Sequence, residues 1–256
     1  MKQHPKCCYC GGEVDSESID HAPPKSFFRD SHRPKGLEVP ACKHCNRGHS
    51  NLEEFFSYIA FLQLSAKQNH IEPRLDSMLP GLVSRFPDAI TDIVLNTRNV
   101  WLRDATGLIY PMGVTSTEDP SVPYVMGYMA ARMACALMYD QHKRIAPVGS
   151  TFLTCWASNA APSHSDLVAA ALKLPEYCAI SQGNWNTSDQ FEARFAIENA
   201  SRAVFTFNFH RSFLVCCVLE VLPRSGQEGP LFTVTRDGIA PMNCAPPPSL
   251  RILPRR

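Results

Sequence analysis

Residues 7–12 read Cys-Cys-Tyr-Cys-Gly-Gly, residues 20–21 read Asp-His, and residues 42–46 read Cys-Lys-His-Cys-Asn. A Cys-x-x-Cys pair has the spacing that binds one face of a tetrahedral zinc ion, and two pairs supply the four thiolates of a structural site. The glycines after the first pair let the backbone turn tightly around the ion. The sequence therefore predicts a zinc site whose ligands are Cys7, Cys10, Cys42 and Cys45.

The first pair contains a third thiol, Cys8, which as a ligand would leave only one spacer residue before Cys10. Cys7 is therefore the better ligand, and Cys8 is predicted to be a bystander. Disulfides are the alternative use of the eleven cysteines of the chain. Because this number is odd and residues 1–5 show no secretory signal, we expect reduced thiols and a cytoplasmic protein.

An acid and a base are adjacent at Asp20 and His21. Neighbouring residues of a strand point in opposite directions, so Asp20 can face a cation while His21 faces a water molecule. An ionised carboxylate suits a hard cation such as magnesium, and an imidazole can accept a proton near neutral pH. The alternative for this pair is a solvated turn before Pro23 and Pro24.

Asn46 follows the last zinc ligand directly. An amide oxygen fixed to a rigid zinc site is a preplaced oxygen donor for a second cation. The alternative reading of this residue is a helix N-cap or a turn residue. The combination of acid, base and amide favours a catalytic metal site supported by zinc.

The order Cys-x-x-Cys, Asp-His, Cys-x-x-Cys-Asn resembles HNH endonucleases of the ββα-metal superfamily, in the group stapled by two cysteine pairs. Residues 20–28 and 39–46 are also similar to stand-alone bacterial HNH proteins with an Asp-His-x-Pro-Pro-Lys motif, and the resemblance covers residues 7–61. It implies that Asp20 and Asn46 hold Mg²⁺ or Mn²⁺, that His21 is the general base, that the four cysteines hold structural Zn²⁺, and that DNA is the substrate.

Two positions depart from the pattern of that family. The middle asparagine, which orients the base, has no clear counterpart in residues 33–40. The last position is often Lys or His and is His49 here, where metal binding, phosphate contact and capping all stay open. Lys25, Arg47 and His49 are candidate phosphate contacts, because cationic groups near the metal hold a nucleic-acid backbone regardless of its sequence.

The composition limits the classes of function. Lys and Arg number 25 against 24 Asp and Glu, a net charge of +1, which argues against a broadly basic protein that wraps nucleic acid. We expect nucleic-acid binding to be local or to depend on a partner. The chain contains no Walker loop, dinucleotide fingerprint or Gly-x-Ser-x-Gly elbow, so the common ATPase, dehydrogenase and esterase classes are not indicated.

The expected fold class is α+β. We predict an HNH domain over residues 1–66, an α+β domain over residues 67–244, and a Pro-rich basic tail over residues 245–256. The tail either adds electrostatic affinity for nucleic acid or is disordered, and its proline content favours disorder. Ser50 opens a helix with an apolar stripe. Further helices are predicted at 88–103 and 121–139, within about 88–139, and antiparallel strands at 191–198, 205–210 and 213–219, within about 191–235.

Two residues of the predicted C-terminal domain give expectations about membrane contact and solvent exposure. The apolar run around Arg132 is too short for a bilayer, so no membrane partner is expected. The Met-rich stripe of that run is read as core. His210 ends an alternating strand on its polar side and is predicted to lie at the surface.

Two functions of different classes follow. The first is a metal-dependent DNA endonuclease whose C-terminal domain positions it, makes a homodimer, or docks a regulatory or targeting protein. The resemblance adds a role as the nuclease effector of a bacterial anti-phage defence system. Nicking and RNA cleavage share its mechanism. The second is a non-catalytic zinc-stapled module that binds nucleic acid or protein, in which Asp20 and His21 merely shape a turn.

Overall fold

The structure is a computed structural model that describes residues 5–28, 33, 35–47, 49–68, 72–103, 106–158, 169–182, 185–220, 230–244 and 246. Helices and antiparallel sheets both contribute substantially to it, so the predicted α+β class is confirmed. The predicted tail at 245–256 lies outside the described residues, apart from Pro246.

The N-terminal part contains a short hairpin followed by a long helix. Strand β1 (Ser18–His21) pairs antiparallel with β2 (Glu38–Ala41), and a 3₁₀ turn, Lys25–Phe27, follows β1. A one-turn helix α1 (Lys43–Asn46) precedes α2 (Ser50–Gln68), so the long helix begins at Ser50. The element order is therefore two strands and a helix, with Asp20 and His21 at the end of β1.

The middle of the chain differs from the prediction. Helices α3 (Pro73–Arg85) and α4 (Pro87–Leu95) are followed by a hairpin of β3 (Thr97–Arg103) and β4 (Ile109–Thr115). The predicted helix at 88–103 is wrong beyond Leu95, because α4 ends at the C-cap Asn96. The β-branched and aromatic residues that follow favour an extended strand.

A seven-stranded antiparallel sheet forms the C-terminal part. Its strands are β5 (Thr151–Ser158), β6 (Glu176–Cys178), β9 (Phe191–Asn199), β10 (Arg202–Phe209), β11 (Phe213–Glu220), β12 (Leu231–Thr235) and β13 (Gly238–Pro241), in the order β13-β12-β5-β11-β10-β9-β6. Strands β7 (Ser181–Gln182) and β8 (Trp185–Asn186) pair separately. The predicted meander of β9, β10 and β11 is confirmed, whereas β5, inside the sheet, was not predicted.

Helix α5 (Ser121–His142) lies at the centre of the molecule. It packs against the sheet, α2 and β2, and every residue from Tyr124 to Met138 is buried. A helix that is buried all round is a core helix, which confirms the reading of its Met-rich stripe. One hydrophobic cluster joins residues of both predicted domains. Among the helices that the structure describes, none has the length and apolar character to cross a bilayer.

The prediction for His210 is wrong. Its side chain is only 3% exposed, and its ring lies 5.0 Å from that of Phe61 and 6.3 Å from that of Phe27, between ring centroids. Strand β10 ends at Phe209, and His210 has a left-handed backbone with φ of 51°. This turn breaks the alternation of the strand, so the imidazole enters the core instead of pointing to solvent.

Gly127 permits the close packing of α5 on the sheet. A Cβ atom at this position would lie 2.2 Å from the Phe232 ring and 2.7 Å from Thr154 Oγ1. We predict that Gly127→Ala lowers the thermal midpoint although alanine favours helix, because overpacking a core costs about 1–3 kcal/mol. Gly113→Ala on β4 is the control, since a Cβ atom there would lie 3.8 Å from the nearest atom, on Thr97, which is an ordinary van der Waals contact. Equal thermal midpoints for the two variants would contradict this packing.

Candidate functional site

Four buried thiols form a cluster under the N-terminal hairpin. The Sγ atoms of Cys7, Cys10, Cys42 and Cys45 all lie within 4.8 Å of one another. Zinc–sulfur bonds of about 2.3 Å in a tetrahedron place the sulfurs about 3.8 Å apart, so this donor set fits a structural zinc ion with little movement. Cys8 is not part of the cluster, and its backbone N–H donates to the Pro40 carbonyl instead.

Local backbone geometry builds this cluster. Gly11 and Gly12 have φ values of 67° and 73°, the left-handed turn that brings the first cysteine pair around the site. Cys42 is the N-cap of α1, and its Sγ accepts from the Cys45 N–H at 3.5 Å. Hydrogen bonding with Cys10 holds the pKa of Cys7 far below its usual range and raises the pKa of Cys45. Zinc binds cysteines as thiolates, so binding at this cluster would release the protons of the thiols.

Asp20 points into the protein. Its side chain is buried, and its Oδ2 accepts hydrogen bonds from the Tyr9 hydroxyl at 2.5 Å and from Arg132 at 2.8 Å. Burial, followed by the charge of Asp20, raises the pKa of Tyr9, so the phenol remains a donor. Both described contacts of the carboxylate use Oδ2, which leaves Oδ1 as the oxygen to offer a cation.

His21 points the other way, as the alternation of β1 predicts, and its side chain is 41% exposed. Its Nδ1 lies 3.7 Å from Glu38 Oε1, directly across the hairpin, and 3.5 Å from a guanidinium nitrogen of Arg33. Arg33 also donates to the carbonyls of Pro23, at 2.8 Å, and Gly36, at 2.6 Å. The loop where no orienting asparagine was found therefore supplies two polar neighbours of the imidazole.

Asn46 is the last residue of α1 and not a helix N-cap. Its side-chain amide donates to Ser18 Oγ at 3.0 Å and to the Ile19 carbonyl at 3.2 Å. These two bonds hold Asn46 against β1, beside the residue that precedes Asp20. Both bonds use the amide nitrogen, so the amide oxygen of Asn46 takes part in neither of them.

The three candidate phosphate contacts differ in their surroundings. Lys25 and Arg47 are exposed, at the 3₁₀ turn and at the end of α1. His49 is half-buried, and the Tyr128 hydroxyl lies 3.0 Å and 3.1 Å from its two ring nitrogens. Burial, and then the charge of Arg132, lowers the pKa of His49 to about 3. His49 is therefore neutral near pH 7 and could contact a phosphate only as a hydrogen-bond donor.

Arg132 is the site residue that sequence reasoning did not assign. It is 3% exposed on α5, donates to Asp20 and to the Cys45 carbonyl, and lies 4.4 Å from the centre of the Tyr9 ring. Burial disfavours its charge, but Asp20, Tyr9, Tyr128 and Glu53 together outweigh burial and raise the pKa of Arg132. A single arginine within an apolar run was the available signal, because a buried charge requires a partner.

A second carboxylate lies close to this network. Glu53 on α2 is half-buried, and burial raises its pKa, with Arg132 opposing the shift and Asp20 adding to it. It lies near enough for both charges to act on it. The charges of Arg132, Asp20 and Glu53 thus influence one another.

No protein-family model, no curated protein and no solved structure matches the chain. The motif resemblance concerns residues 7–61 alone.

We predict that the protein holds about one zinc ion through the four clustered thiols. Cys45→Ser should abolish zinc binding and lower the thermal midpoint, because metal binding contributes directly to folding free energy. Cys8→Ala is the matched control and should retain zinc. Metal content measured by atomic emission and a melting curve check both; zinc retained by Cys45→Ser, or lost by Cys8→Ala, contradicts the ligand set.

Proposed function

We propose that this chain is a metal-dependent endonuclease of the HNH type, which hydrolyses phosphodiester bonds of DNA beside a structural zinc site. The observation that carries the proposal is the position of Asn46. Its amide bonds to Ser18 and Ile19 hold it against the strand that ends in Asp20 and His21. The amide, which is distant in sequence from the adjacent acid and base, is thereby held against the strand that carries them.

The roles follow from the chemistry of each group. Asp20, through Oδ1, and Asn46, through its amide oxygen, would hold Mg²⁺ or Mn²⁺; when bound, the cation supplies charge neutralisation at the phosphate and at the leaving 3′ oxygen. His21 is half-exposed and accepts a proton from the attacking water. Lys25 and Arg47 are exposed cations that would hold the nucleic-acid backbone.

We propose that Glu38 orients the imidazole of His21, the role that the resemblance would give to an asparagine. If the Nδ1–H of His21 faces the Glu38 carboxylate, the Nε2 lone pair is left to accept the proton of the water. Donation from Arg33 to Nδ1 would instead place the proton on Nε2 and block the base. The role of Arg33 is to close the loop, since its guanidinium donates to the carbonyls of Pro23 and Gly36.

Cleavage of supercoiled plasmid by zinc-loaded protein, with and without added Mg²⁺ or Mn²⁺, tests the function. We expect cation-dependent nicking or linearisation that falls about 10²- to 10⁴-fold in His21→Ala, because a general base contributes that much. His44→Ala, an exposed histidine between two zinc ligands, is the control and should cleave normally. Intact plasmid with wild-type protein under every cation, or full activity of His21→Ala, would falsify the proposal.

If Glu38 fixes the tautomer of His21, Glu38→Gln should cleave DNA more slowly. This variant keeps the size of the side chain but removes the anionic acceptor, so kcat should fall about tenfold or more while KM for DNA is unchanged. Glu17→Gln is the control, because Glu17 is an exposed acid next to the hairpin that pairs with Lys43 instead. Steady-state cleavage of a labelled duplex measures both; equal kcat values for the two variants would remove Glu38 from the mechanism.

A second candidate function is the non-catalytic zinc-stapled binding module. The ion pair of Asp20 with buried Arg132 favours this function, because Arg132 neutralises the carboxylate without a metal ion and gives Asp20 a structural use. Under this alternative, zinc-loaded protein binds DNA or a protein equally well with and without magnesium and cleaves nothing.

The cleavage assay repeated with RNA in place of plasmid DNA identifies which nucleic acid is the substrate. A defence role, a homodimer and a regulatory partner are proposals that the resemblance alone supports.

A further inference from the structure

We infer that Arg132 is a positioning residue of the proposed cation site, acting from α5 through both segments that carry the cation ligands. This inference rests on the proposed function. It concerns a residue far from the motif in sequence, within the apolar helix that forms the centre of the core.

The guanidinium bridges the two segments directly. One terminal nitrogen of Arg132 donates to Asp20 Oδ2 at 2.8 Å, and the other donates to the Cys45 carbonyl at 2.5 Å. That carbonyl belongs to the peptide bond that leads into Asn46. Because a guanidinium is planar and rigid, its two nitrogens hold both acceptors at a set separation. A single side chain therefore fixes the position of Asp20 relative to the backbone of Asn46.

The position of the guanidinium is itself fixed by its surroundings. Its neighbours on α5 are buried, and the ring of Tyr9 lies 4.4 Å from it on one side. The Tyr9 hydroxyl donates at 2.5 Å to the same Oδ2 that Arg132 contacts. Two donors thus occupy one carboxylate oxygen of Asp20 and orient the other oxygen, which defines how the acid can approach a cation.

The contacts of Arg132 extend the proposed active site beyond residues 7–61 to helix α5. The motif residues 7–61 contribute the ligands and the base, but α5 contributes the residue that sets their relative positions. The C-terminal part is then a component of the active site, in addition to any role in docking DNA or a partner. An HNH unit without α5 would lose the alignment of Asp20 with Asn46.

A purely structural ion pair is the competing explanation, and lysine separates the two. Arg132→Lys preserves the positive charge next to Asp20, but a single ammonium cannot bridge both acceptors in the same plane. A structural role predicts a lower thermal midpoint with unchanged cation affinity in the folded protein. A positioning role predicts weaker Mn²⁺ binding and slower cleavage in protein that is folded and zinc-loaded.

The experiment compares full-length, zinc-loaded wild type and Arg132→Lys at a temperature where both are folded. We expect the Mn²⁺ dissociation constant, from paramagnetic resonance of free Mn²⁺, to rise about tenfold or more and kcat to fall about 10- to 100-fold, as for residues that orient metal ligands. Zinc content and KM for DNA should not change. Unchanged Mn²⁺ affinity and kcat in folded Arg132→Lys would overturn the inference.

Arg85→Lys is the matched control. Arg85 on α3 likewise spans two acceptors, Asn51 and Glu54 of α2, and its side chain is partly buried. Its replacement should lower the thermal midpoint without changing Mn²⁺ affinity or kcat. A loss of Mn²⁺ affinity equal to that of Arg132→Lys would show a general stability effect and overturn the positioning role.

Tyr9→Phe keeps the test decisive if Arg132→Lys does not fold. It removes only the hydroxyl that shares Asp20 Oδ2 with Arg132 and retains the ring below the guanidinium. Weaker Mn²⁺ binding in this variant supports the inference, and wild-type affinity overturns it. A wild-type protein that neither binds Mn²⁺ nor cleaves DNA overturns the proposed function itself, whereas normal wild-type activity with both variants unchanged overturns this inference alone.

Discussion

The convergence of four buried cysteine sulfurs is the constraint on which the N-terminal structure depends. The cluster joins the turn at residues 7–10 to the turn at residues 42–45, and β1 and β2 lie between them. C-terminal elements close over it: a Cβ atom on Gly11 would lie 2.5 Å from Val148, and one on Gly238 would lie 3.1 Å from Cys45 Sγ. The positions of the four sulfurs thus determine where Asn46, which directly follows Cys45, contacts β1.

A buried charge network connects this cluster to α5. Replacing a buried ion pair by apolar groups is often neutral or stabilising, whereas removing one partner costs about 3–5 kcal/mol. Stability alone is therefore a weak reason for an arginine in the middle of an apolar helix. Its two contacts, to Asp20 and to the peptide before Asn46, supply a better reason, because they align groups that the proposed chemistry needs together.

Sequence reasoning succeeded where the information is local. The spacing of the cysteines predicted which thiols cluster, alternation predicted the meander, and the apolar run predicted α5. It failed where contacts between residues far apart in sequence determine the structure. The apolar residues after Asn96 form a hairpin instead of extending α4, and a left-handed turn places His210 in the core. Glu38 and Arg132 were missed because their contacts, and the roles proposed for them, depend on strand register and on packing across the molecule.

A crystal structure of zinc-loaded protein soaked in Mn²⁺, with anomalous data at the zinc and manganese edges, tests directly whether the molecule holds two different metals. We expect a zinc peak within the four cysteine sulfurs and a separate manganese peak bound by Asp20 Oδ1 and Asn46. Zinc at the cysteines with no manganese beside Asp20, in a crystal where no neighbouring molecule covers β1, would contradict a catalytic metal site and favour the binding module.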